Sequence, residues 1–451
     1  MTADVDVVVV GLGPGGEALA TGLARAGLEV AAVDERLVGG ECPYYGCVPA
    51  KMMVRAADVL AESRRVPDLA GRSSQTPAWD PVARRIRDEA TDDWDDTAAV
   101  KRLEDAGVRF VRGHGRLAGE RTVDVEGTVL LARRGVVLNT GTTPALPPVD
   151  GLADTPYWTN RDAVRAERLP ESMAVIGGGA IGVELAQAFA RFGVRVTVLE
   201  VADRILSPEE PESSALVGGV FAREGIEVRA GVRIGSVAHD GHRFAVRVGE
   251  QSIEAERLLV AAGRRPNLPD VGLETVGLDP GARSVPVDER MRAAEGLWAI
   301  GDITGKGAFT HMSMYQAGVA QRDILGQDGP PASYHAVPRV TFTDPEVGSV
   351  GMTEQQARDA GLTVRVGLTD LTASTRGWIH MAGNEGLVKL VEDADRGVLV
   401  GATSAGPTGG EVLSMLTTAV HAAVPTATLR SMIYAYPTFH RAVEDALSRL
   451  A

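Results

Sequence analysis

The first thirty-four residues alternate short apolar runs with a glycine-rich turn and a helical stretch. Residues 6–10 form a β-branched run that enters the sequence Gly-Leu-Gly-Pro-Gly-Gly at residues 11–16. An Ala- and Leu-rich stretch with a helical pattern extends to about Ala26, and a second apolar run, residues 29–33, ends at Asp34. The pattern predicts a strand, a glycine turn, a helix, a second strand and an acid, in that order.

This order of elements is typical of a dinucleotide-binding site. Glycines at positions 11, 13 and 16 permit a tight turn and let the helix N-terminus approach a pyrophosphate. Asp34 lies eighteen residues after Gly16, where a carboxylate can accept a hydrogen bond from a ribose hydroxyl. Gly11, Gly13, Gly16 and Asp34 are therefore predicted to bind a first dinucleotide.

The same pattern recurs further along the chain. The run 173–176 precedes a helical stretch that ends near Phe192, and the run 194–199 ends at Glu200. The glycines of this second turn are Gly177, Gly179 and Gly182, and Glu200 again lies eighteen residues after the last of them. Two complete fingerprints predict two dinucleotides, one in each of two domains.

Glu200 bears on which nicotinamide cofactor binds at the second site. A carboxylate here favours a free ribose 2′-hydroxyl and repels a 2′-phosphate, so NADH is predicted in preference to NADPH. Arg204 lies nearby, and an arginine in this region can accommodate the phosphate. NADPH therefore stays open as the alternative.

Both cysteines of the chain, Cys42 and Cys47, lie shortly after the first fingerprint. The segment that holds them has no His, Asp or further Cys, so no metal site is predicted. A five-residue step rises about 7.5 Å in a straight helix, whereas a disulfide needs Cα atoms roughly 4.4–6.8 Å apart. The pair can close only at a distorted or starting helix turn, which Pro43 suits. We interpret the cysteines as a redox pair, with a structural role as the alternative.

Composition limits the partners of the 451-residue chain. Its formal net charge of −14 and pI near 5.2 argue against a nucleic-acid partner, because no excess of cations is present to displace counterions. There is no visible secretory signal and no apolar stretch of the roughly 20 residues that a spanning helix needs. Two cysteines fit a reducing compartment, so a cytoplasmic protein without a membrane partner is predicted.

With the cysteine pair added, the chain resembles the FAD-dependent pyridine nucleotide–disulfide oxidoreductases from about Val5 to Leu450. Four further segments are similar to motifs of that family: Thr140-Gly141, residues 262–267, residues 297–302 and residues 342–348. The resemblance implies FAD, NADH or NADPH, a small-molecule substrate, and a homodimer with its active site at the subunit interface.

The resemblance also implies an α/β fold class with two Rossmann-like dinucleotide-binding domains, for FAD and NAD(P), and a C-terminal α+β interface domain. The FAD-binding domain is expected to be discontinuous, comprising residues 1–150 and 279–334. The NAD(P)-binding domain is expected at 151–278, and the interface or dimerisation domain at 335–451.

The family motifs assign roles to individual residues. By resemblance, Cys47 lies nearer the flavin and Cys42 exchanges with the substrate, while Lys51 lies beside flavin N5 and forms an ion pair with Glu184. A lysine near N5 stabilises negative charge on the reduced flavin. The remaining cofactor-binding residues implied in this way are Gly40, Thr140, Gly141, Gly263, Asp302 and His311.

The C-terminal motif departs from the family pattern. Well-known disulfide reductases have His-Pro-Thr followed by Glu, whereas this chain has Tyr436 at the histidine position and Arg441 at the glutamate position. Tyrosine has a pKa near 10 and is a poor general base, which predicts slow oxidation of dihydrolipoamide. His440, four residues on, could act as the substitute if a helix has already begun at Tyr436. The chain also has no Cys after Cys47, which excludes the usual C-terminal relay of mercuric reductase.

The leading hypothesis is an NAD(P)H-dependent flavoenzyme that passes electrons through a Cys42–Cys47 disulfide to a small disulfide or similar electrophile. A quinone or dye reductase, in which the flavin delivers electrons directly, is the alternative. A third hypothesis is a non-catalytic redox sensor.

Overall fold

The computed structural model describes residues 2–451, with side chains from Asp4 onward. The strands are β1 Thr2–Val10, β2 Val30–Asp34, β3 Val108–Arg112, β4 Gly115–Leu117, β5 Thr122–Val125, β6 Thr128–Leu138, β7 Thr142–Pro144, β8 Ser172–Ile176, β9 Arg195–Leu199, β10 Glu227–Arg229, β11 Ile234–His239, β12 Phe244–Val248, β13 Gln251–Ala255, β14 Arg257–Val260, β15 Arg264–Pro266, β16 Arg292–Ala294, β17 Leu297–Ala299, β18 Pro338–Thr341, β19 Glu346–Gly351, β20 Val364–Asp370, β21 Leu387–Asp393 and β22 Val398–Gly406. The α-helices are α1 Pro14–Arg25, α2 Glu41–Tyr44, α3 Cys47–Leu69, α4 Asp80–Arg85, α5 Thr97–Asp105, α6 Asn160–Val164, α7 Ala180–Arg191, α8 Pro211–Arg223, α9 Thr310–Ile324, α10 Glu354–Asp359, α11 Thr375–His380, α12 Gly409–His421, α13 Thr426–Ser431 and α14 Arg441–Ser448.

The chain divides into two units. The first comprises the residues up to Pro49 together with Arg84–Ala145 and Arg264–Tyr334. The second comprises Ala50–Ala83, Leu146–Gly263 and His335–Ala451.

The first unit is built on a sheet with strand order β16-β17-β6-β1-β2-β3. In addition, β5 pairs with β6, and β4 pairs with β5. β1 pairs in parallel with both β2 and β6. Its alternate residues enter different cores: Val7 and Val9 pack on the side of α1 and α9, and Val8 and Val10 pack on the other side. Apolar residues on both faces are typical of a covered parallel sheet, and the carboxyl ends of its strands carry the first glycine turn.

The second unit contains three sheets. Strands β10-β9-β8-β14 form a parallel sheet, β11-β12-β13 form an antiparallel sheet, and β18-β19-β22-β21-β20 form an antiparallel sheet near the C-terminus. The third sheet packs against α12 and α14 around Leu390, Leu413 and Leu447. The parallel sheet again presents a glycine turn at the carboxyl end of its first strand, β8.

Three segments belong to a different unit from the one that the predicted boundaries suggest: residues 264–278, 50–83 and 146–150. Residues 264–278, predicted within the NAD(P)-binding domain, lie in the first unit, because β15 pairs with β7. Residues 50–83, predicted within the FAD-binding domain, lie in the second unit, because Trp79 stacks on Phe189 and donates to the carbonyl of Ala166. The three-domain boundaries otherwise stay a prediction.

No helix within residues 2–451 is both long enough and apolar enough to cross a bilayer.

Candidate active site

The first glycine turn connects β1 to α1 and has no room for larger side chains at positions that include Gly11 and Gly16. Gly11 has φ +94°, and a Cβ atom there would overlap the carbonyl oxygen of Asn139. A Cβ at Gly16 would overlap the carbonyl oxygen of Gly11. At Gly13, the N-cap of α1, a Cβ would meet no atom closer than 3.5 Å. The turn therefore leaves space at the positive end of α1, where an anionic group is favoured.

Asp34 lies at the end of β2, beside this turn. One carboxylate oxygen accepts from the backbone N–H of Leu12 at 2.7 Å, and the other accepts from that of Arg36 at 2.8 Å. Burial raises the pKa of the Asp34 carboxyl above its ordinary value, while the two hydrogen bonds lower it. The carboxylate is thus held in one orientation next to the space above Gly13.

The second glycine turn, between β8 and α7, repeats these features. Gly177 has φ +112°, and a Cβ there would overlap the carbonyl oxygen of Ala261. A Cβ at Gly182 would overlap the carbonyl oxygen of Gly177. A Cβ atom at Gly179, the N-cap of α7, would have no other atom within 4 Å, and the same holds at Gly263. Open space at the helix start again suits a pyrophosphate.

Glu200 follows β9 and faces the second turn. Its carboxylate accepts from the backbone N–H groups of Gly178 at 2.5 Å and Ala202 at 2.7 Å. Arg204 donates to the carbonyl oxygens of Ser207 at 2.7 Å and Glu209 at 3.1 Å. The guanidinium is therefore held by its own loop, which favours the carboxylate as the group that meets the ribose.

The two cysteines lie at consecutive helix starts. Cys42 is in the one-turn helix α2, and Cys47 is the first residue of α3, so the prediction of a starting helix turn is confirmed. The structure shows no disulfide bond between them. A hydrogen bond to Cys47 and burial raise the pKa of the Cys42 thiol, while a hydrogen bond from Thr310 lowers it.

Lys51 and Glu184 form an ion pair in the second unit. The Lys51 Nζ donates to one carboxylate oxygen of the buried Glu184 at 2.5 Å. The other oxygen accepts from the backbone N–H of Phe342 at 2.8 Å. The ammonium also lies 4.6 Å from the centre of the Phe342 ring. The pairing that the sequence predicts is present, and the position of Lys51 beside a flavin stays a prediction.

Thr140, Gly141 and Asp302 lie in the first unit, near the carboxyl ends of β6 and β17. The Thr140 hydroxyl donates to the carbonyl oxygen of Asn267 at 2.8 Å, and Gly141 has φ +65°. Asp302 accepts from the Thr142 hydroxyl at 2.7 Å. These contacts fix the loop that would face a bound flavin.

Gly40 and His311 are the remaining predicted cofactor residues of this unit. Gly40 has φ +68°, and a Cβ there would approach the Cα of Gly13 to 2.9 Å. His311 is the second residue of α9, and its ring stacks on Phe309 with centroids 5.2 Å apart. Gly40 therefore permits close approach of two backbone segments at the first turn.

The condition under which His440 could act as the substitute for the family histidine is not met, because no helix has begun at Tyr436. Helix α14 begins at Arg441, and His440 is its N-cap, so Tyr436 lies in the preceding loop, where the helical four-residue spacing does not apply. Tyr436 is 64% exposed, and the Arg441 guanidinium lies 5.5 Å from its ring centre. His440 is exposed as well.

Three site contacts were not predicted from the sequence. The Thr310 hydroxyl and the Cys47 Sγ are hydrogen-bonded at 3.4 Å. Arg264 pairs with Glu41, next to Cys42, at 3.2 Å. The Asn139 side chain donates to the Gly11 carbonyl at 3.2 Å. The only sequence signal for these contacts is proximity to a motif, since Arg264 follows Gly263 and Asn139 precedes Thr140.

Residues 5–322 match the model of the pyridine nucleotide-disulphide oxidoreductase family, and residues 337–447 match the dimerisation domain of that family. The chain belongs to this family. The resemblance inferred from the sequence and the predicted fold class are thereby confirmed.

Relatives from bacteria match this family member over nearly its whole length. A dihydrolipoyl dehydrogenase from Chlorobaculum tepidum is 32% identical, over 99% of this chain and 97% of its own. A mercuric reductase from Streptomyces lividans is 31% identical, over 98% and 95%. Among solved structures, the HOCl-induced flavoprotein disulfide reductase RclA from Escherichia coli has a TM-score of 0.86 at 26% identity, covering 98% of this chain and 99% of its own.

Like its family, the protein is an FAD-dependent enzyme that uses NAD(P)H. The residues present fit both cofactors, because the spaces at Gly13 and Gly179 each lie at an uncapped helix start with an acid at a neighbouring strand end. Gly13 and Asp34 would hold the FAD, and Gly179 and Glu200 would hold the nicotinamide dinucleotide. Bound FAD supplies a two-electron carrier between the nicotinamide and an acceptor.

Among the residues that the structure describes, no three His, Cys, Asp or Glu side chains are grouped so that they could hold a metal ion.

Proposed function

We propose that the enzyme uses NADH to reduce a small disulfide or a similar electrophile through the Cys42–Cys47 pair. The observation that carries this proposal is the thiol pair at consecutive helix starts, in which Cys47 is the first residue of α3 and is hydrogen-bonded to the Thr310 hydroxyl. A thiolate is the reactive form in thiol–disulfide exchange, and a helix N-terminus stabilises it.

The proposed exchange balances with two electrons from NADH. Cys42, once deprotonated, attacks one sulfur of the substrate disulfide and releases the first thiol. Cys47 then attacks the Cys42 sulfur of the mixed disulfide, which releases the second thiol and leaves a Cys42–Cys47 disulfide. NADH and one proton restore the two enzyme thiols, so that one disulfide becomes two thiols for each NADH oxidised.

Lys51 and Glu184 are proposed to act together beside the flavin. The Glu184 carboxylate is buried, and its two oxygens accept from Lys51 and from the backbone of Phe342. This fixed acceptor holds the ammonium in one orientation. A held positive charge stabilises the anionic reduced cofactor without reorganisation during the reaction.

We expect the oxidised enzyme to contain a Cys42–Cys47 disulfide. Peptide mapping by mass spectrometry without reductant should find the two cysteines linked, and anaerobic addition of NADH should make both available to alkylation. Reaction of both cysteines with the alkylating agent before NADH is added would contradict the proposal. Screening the reduced enzyme with disulfides and quinones then identifies the acceptor class.

A quinone or dye reductase is the second candidate. The raised pKa of the Cys42 thiol and the tyrosine at position 436 favour it, because both hinder deprotonation of the exchanging thiol. In that case NADH oxidation with quinones would exceed that with every disulfide, and it would not depend on the cysteines.

Tyr436 is proposed not to act as a general base. Tyr436→Phe should therefore lower disulfide reduction by less than about tenfold, against the roughly 10²–10⁴-fold typical of a true acid/base. The double variant Tyr436→His with Arg441→Glu restores the family residues and should raise NAD-dependent oxidation of dihydrolipoamide. Rapid oxidation of dihydrolipoamide by the unmodified enzyme, lost in His440→Ala, would instead identify His440 as the base.

A homodimer with the active site at its subunit interface is proposed from the dimerisation domain at residues 337–447. A cytoplasmic location stays a prediction from cysteine usage.

A further inference from the structure

Within the second unit, two ion pairs join helix α3 to helix α7. Lys51 of α3 pairs with Glu184 of α7 at 2.5 Å, and Asp58 of α3 pairs with Arg191 of α7 at 2.6 Å. On each helix the two residues are seven positions apart, which is about two turns and returns to the same face. The charges are reversed between the two levels, so each helix contributes one cation and one anion.

In the second pair it is the cation, Arg191, that is deeply buried. The Arg191 side chain is only 1% exposed, and its guanidinium also contacts Glu224 at 2.6 Å and Asp344 at 2.7 Å. A buried guanidinium needs several acceptors to offset its desolvation, and its removal would leave the surrounding carboxylates unpaired. Among the described residues, Asp58 is the only one of α3 that pairs with the Arg191 guanidinium, while the Arg64 guanidinium of α3 donates to the Arg191 backbone carbonyl at 2.5 Å.

One short segment contacts both levels. The backbone N–H of Phe342 donates to Glu184, and the Asp344 carboxylate accepts from Arg191 and, at 2.7 Å, from Arg65. The Gln187 side chain, between the two levels on α7, accepts from the Asp344 N–H and donates to the Asp344 carbonyl. Any shift of α3 at Asp58 would therefore move this helix relative to residues 342–344, the segment against which Lys51 rests.

We propose that Asp58 is a positioning residue for Lys51, and that its bridge to Arg191 keeps α3 aligned so that the Lys51–Glu184 pair stays closed against Phe342. The inference deepens the proposed function, since it rests on the role of Lys51 beside the flavin. The family resemblance implied the Lys51–Glu184 pair, whereas no sequence pattern singled out the Asp58–Arg191 pair.

The test uses Asp58→Asn, which keeps the side-chain shape and removes only the charge. Asp68→Asn is the matched control, because Asp68 is an exposed acid on the same helix. In the holoenzyme, the rate at which an N-hydroxysuccinimide ester acylates Lys51 is measured by mass spectrometry, with the exposed Lys101 as internal reference. Asp58→Asn should raise the Lys51 rate roughly fivefold, the change expected when about one hydrogen bond is lost. Asp68→Asn should leave it unchanged, and Asp58→Glu should restore it in part.

The midpoint potential of the bound FAD is the second readout, and its sign separates two effects. Loss of a nearby negative charge alone would raise the potential, whereas a loosened Lys51 would lower it. We expect a lower potential in Asp58→Asn. An unchanged acylation rate of Lys51 in this variant overturns the positioning role. If acylation rises but neither Asp58→Asn nor Lys51→Met changes the potential, the positioning role stands and the proposed role of Lys51 fails.

The difference between wild type and Asp58→Asn should depend on pH. Burial raises the pKa of Asp58 to about 6; Asp344 and Glu346 also raise it, and Arg191 and Arg55 lower it. Below pH 6 the wild-type carboxyl becomes protonated and resembles asparagine. The Lys51 acylation rates of the two proteins should therefore differ at pH 8 and converge near pH 5. If the Lys51 acylation rates of the two proteins differed by the same factor at pH 8 and pH 5, the Asp58 charge would not control Lys51.

Discussion

Replacement of Cys42 by serine is expected to abolish reduction of disulfide substrates by NADH while leaving quinone reduction within a few-fold of wild type. A serine hydroxyl cannot form the mixed disulfide, so the loss should be at least about 10³-fold, within the roughly 10⁶-fold that removal of a covalent nucleophile can cost. Cys47 alone cannot complete the exchange, because a second enzyme thiol is needed to resolve the mixed disulfide.

Steady-state oxidation of NADH, followed with one disulfide and one quinone for each protein, measures this effect. FAD content should be the same in wild type and Cys42→Ser, because Cys42 is not among the residues assigned to the cofactor. Retention of disulfide reduction in Cys42→Ser would remove the cysteine pair from the reaction. An equal loss with the quinone would show that the thiols also serve that acceptor.

The second large effect concerns the choice of nicotinamide. The enzyme should use NADH with a kcat/KM at least about tenfold above that for NADPH, because the Glu200 carboxylate would face the 2′-phosphate. Two like charges about 4 Å apart at an effective dielectric constant of 20 repel by about 4 kcal/mol, and 1.4 kcal/mol already corresponds to a factor of ten. The hydrogen bonds from Gly178 and Ala202 prevent the carboxylate from turning away.

Glu200→Gln should reduce this preference, mainly by improving kcat/KM for NADPH. Glu250→Gln, at an exposed acid of the turn between β12 and β13, is the control for the loss of one negative charge. Wild-type use of NADPH at or above the level of NADH, abolished by Arg204→Ala, would show that Arg204 leaves its loop carbonyls to bind the phosphate.

The C-terminal departure predicts that this enzyme is slow in the reaction for which one of its relatives is named. The dihydrolipoyl dehydrogenase from Chlorobaculum tepidum is similar over 99% of this chain, yet similarity over that length does not supply a base at position 436. With Arg441 beside the Tyr436 ring and no acid at position 441, the local charges also differ from the family pair. Whole-chain likeness therefore establishes the family, whereas individual side chains bear on the substrate.

Local sequence was sufficient for both dinucleotide turns. Gly11 and Gly177 precede a helix and follow an apolar run, and each adopts a positive φ that only glycine accommodates without strain. Asp34 and Glu200 could be identified because an acid at a fixed distance ends the next strand. In each turn the glycines and the acid lie within about 25 residues of one another, so the sequence pattern predicts them without knowledge of the tertiary structure.

Only the tertiary structure decided which distant side chains meet. Thr310 reaches Cys47 across 263 positions of sequence, and Asp58 reaches Arg191 across 133. Nothing in the spacing of these residues distinguishes them from other threonines or exposed helix acids. The start of α14 at Arg441 likewise depends on packing near the C-terminus, and it leaves Tyr436 outside the helix that would have aligned it with His440. The two glycine turns and the helix-start position of the cysteine pair follow from local backbone and spacing requirements, so the sequence by itself determined them; long-range charge pairs and helix boundaries depend on packing that local patterns do not encode.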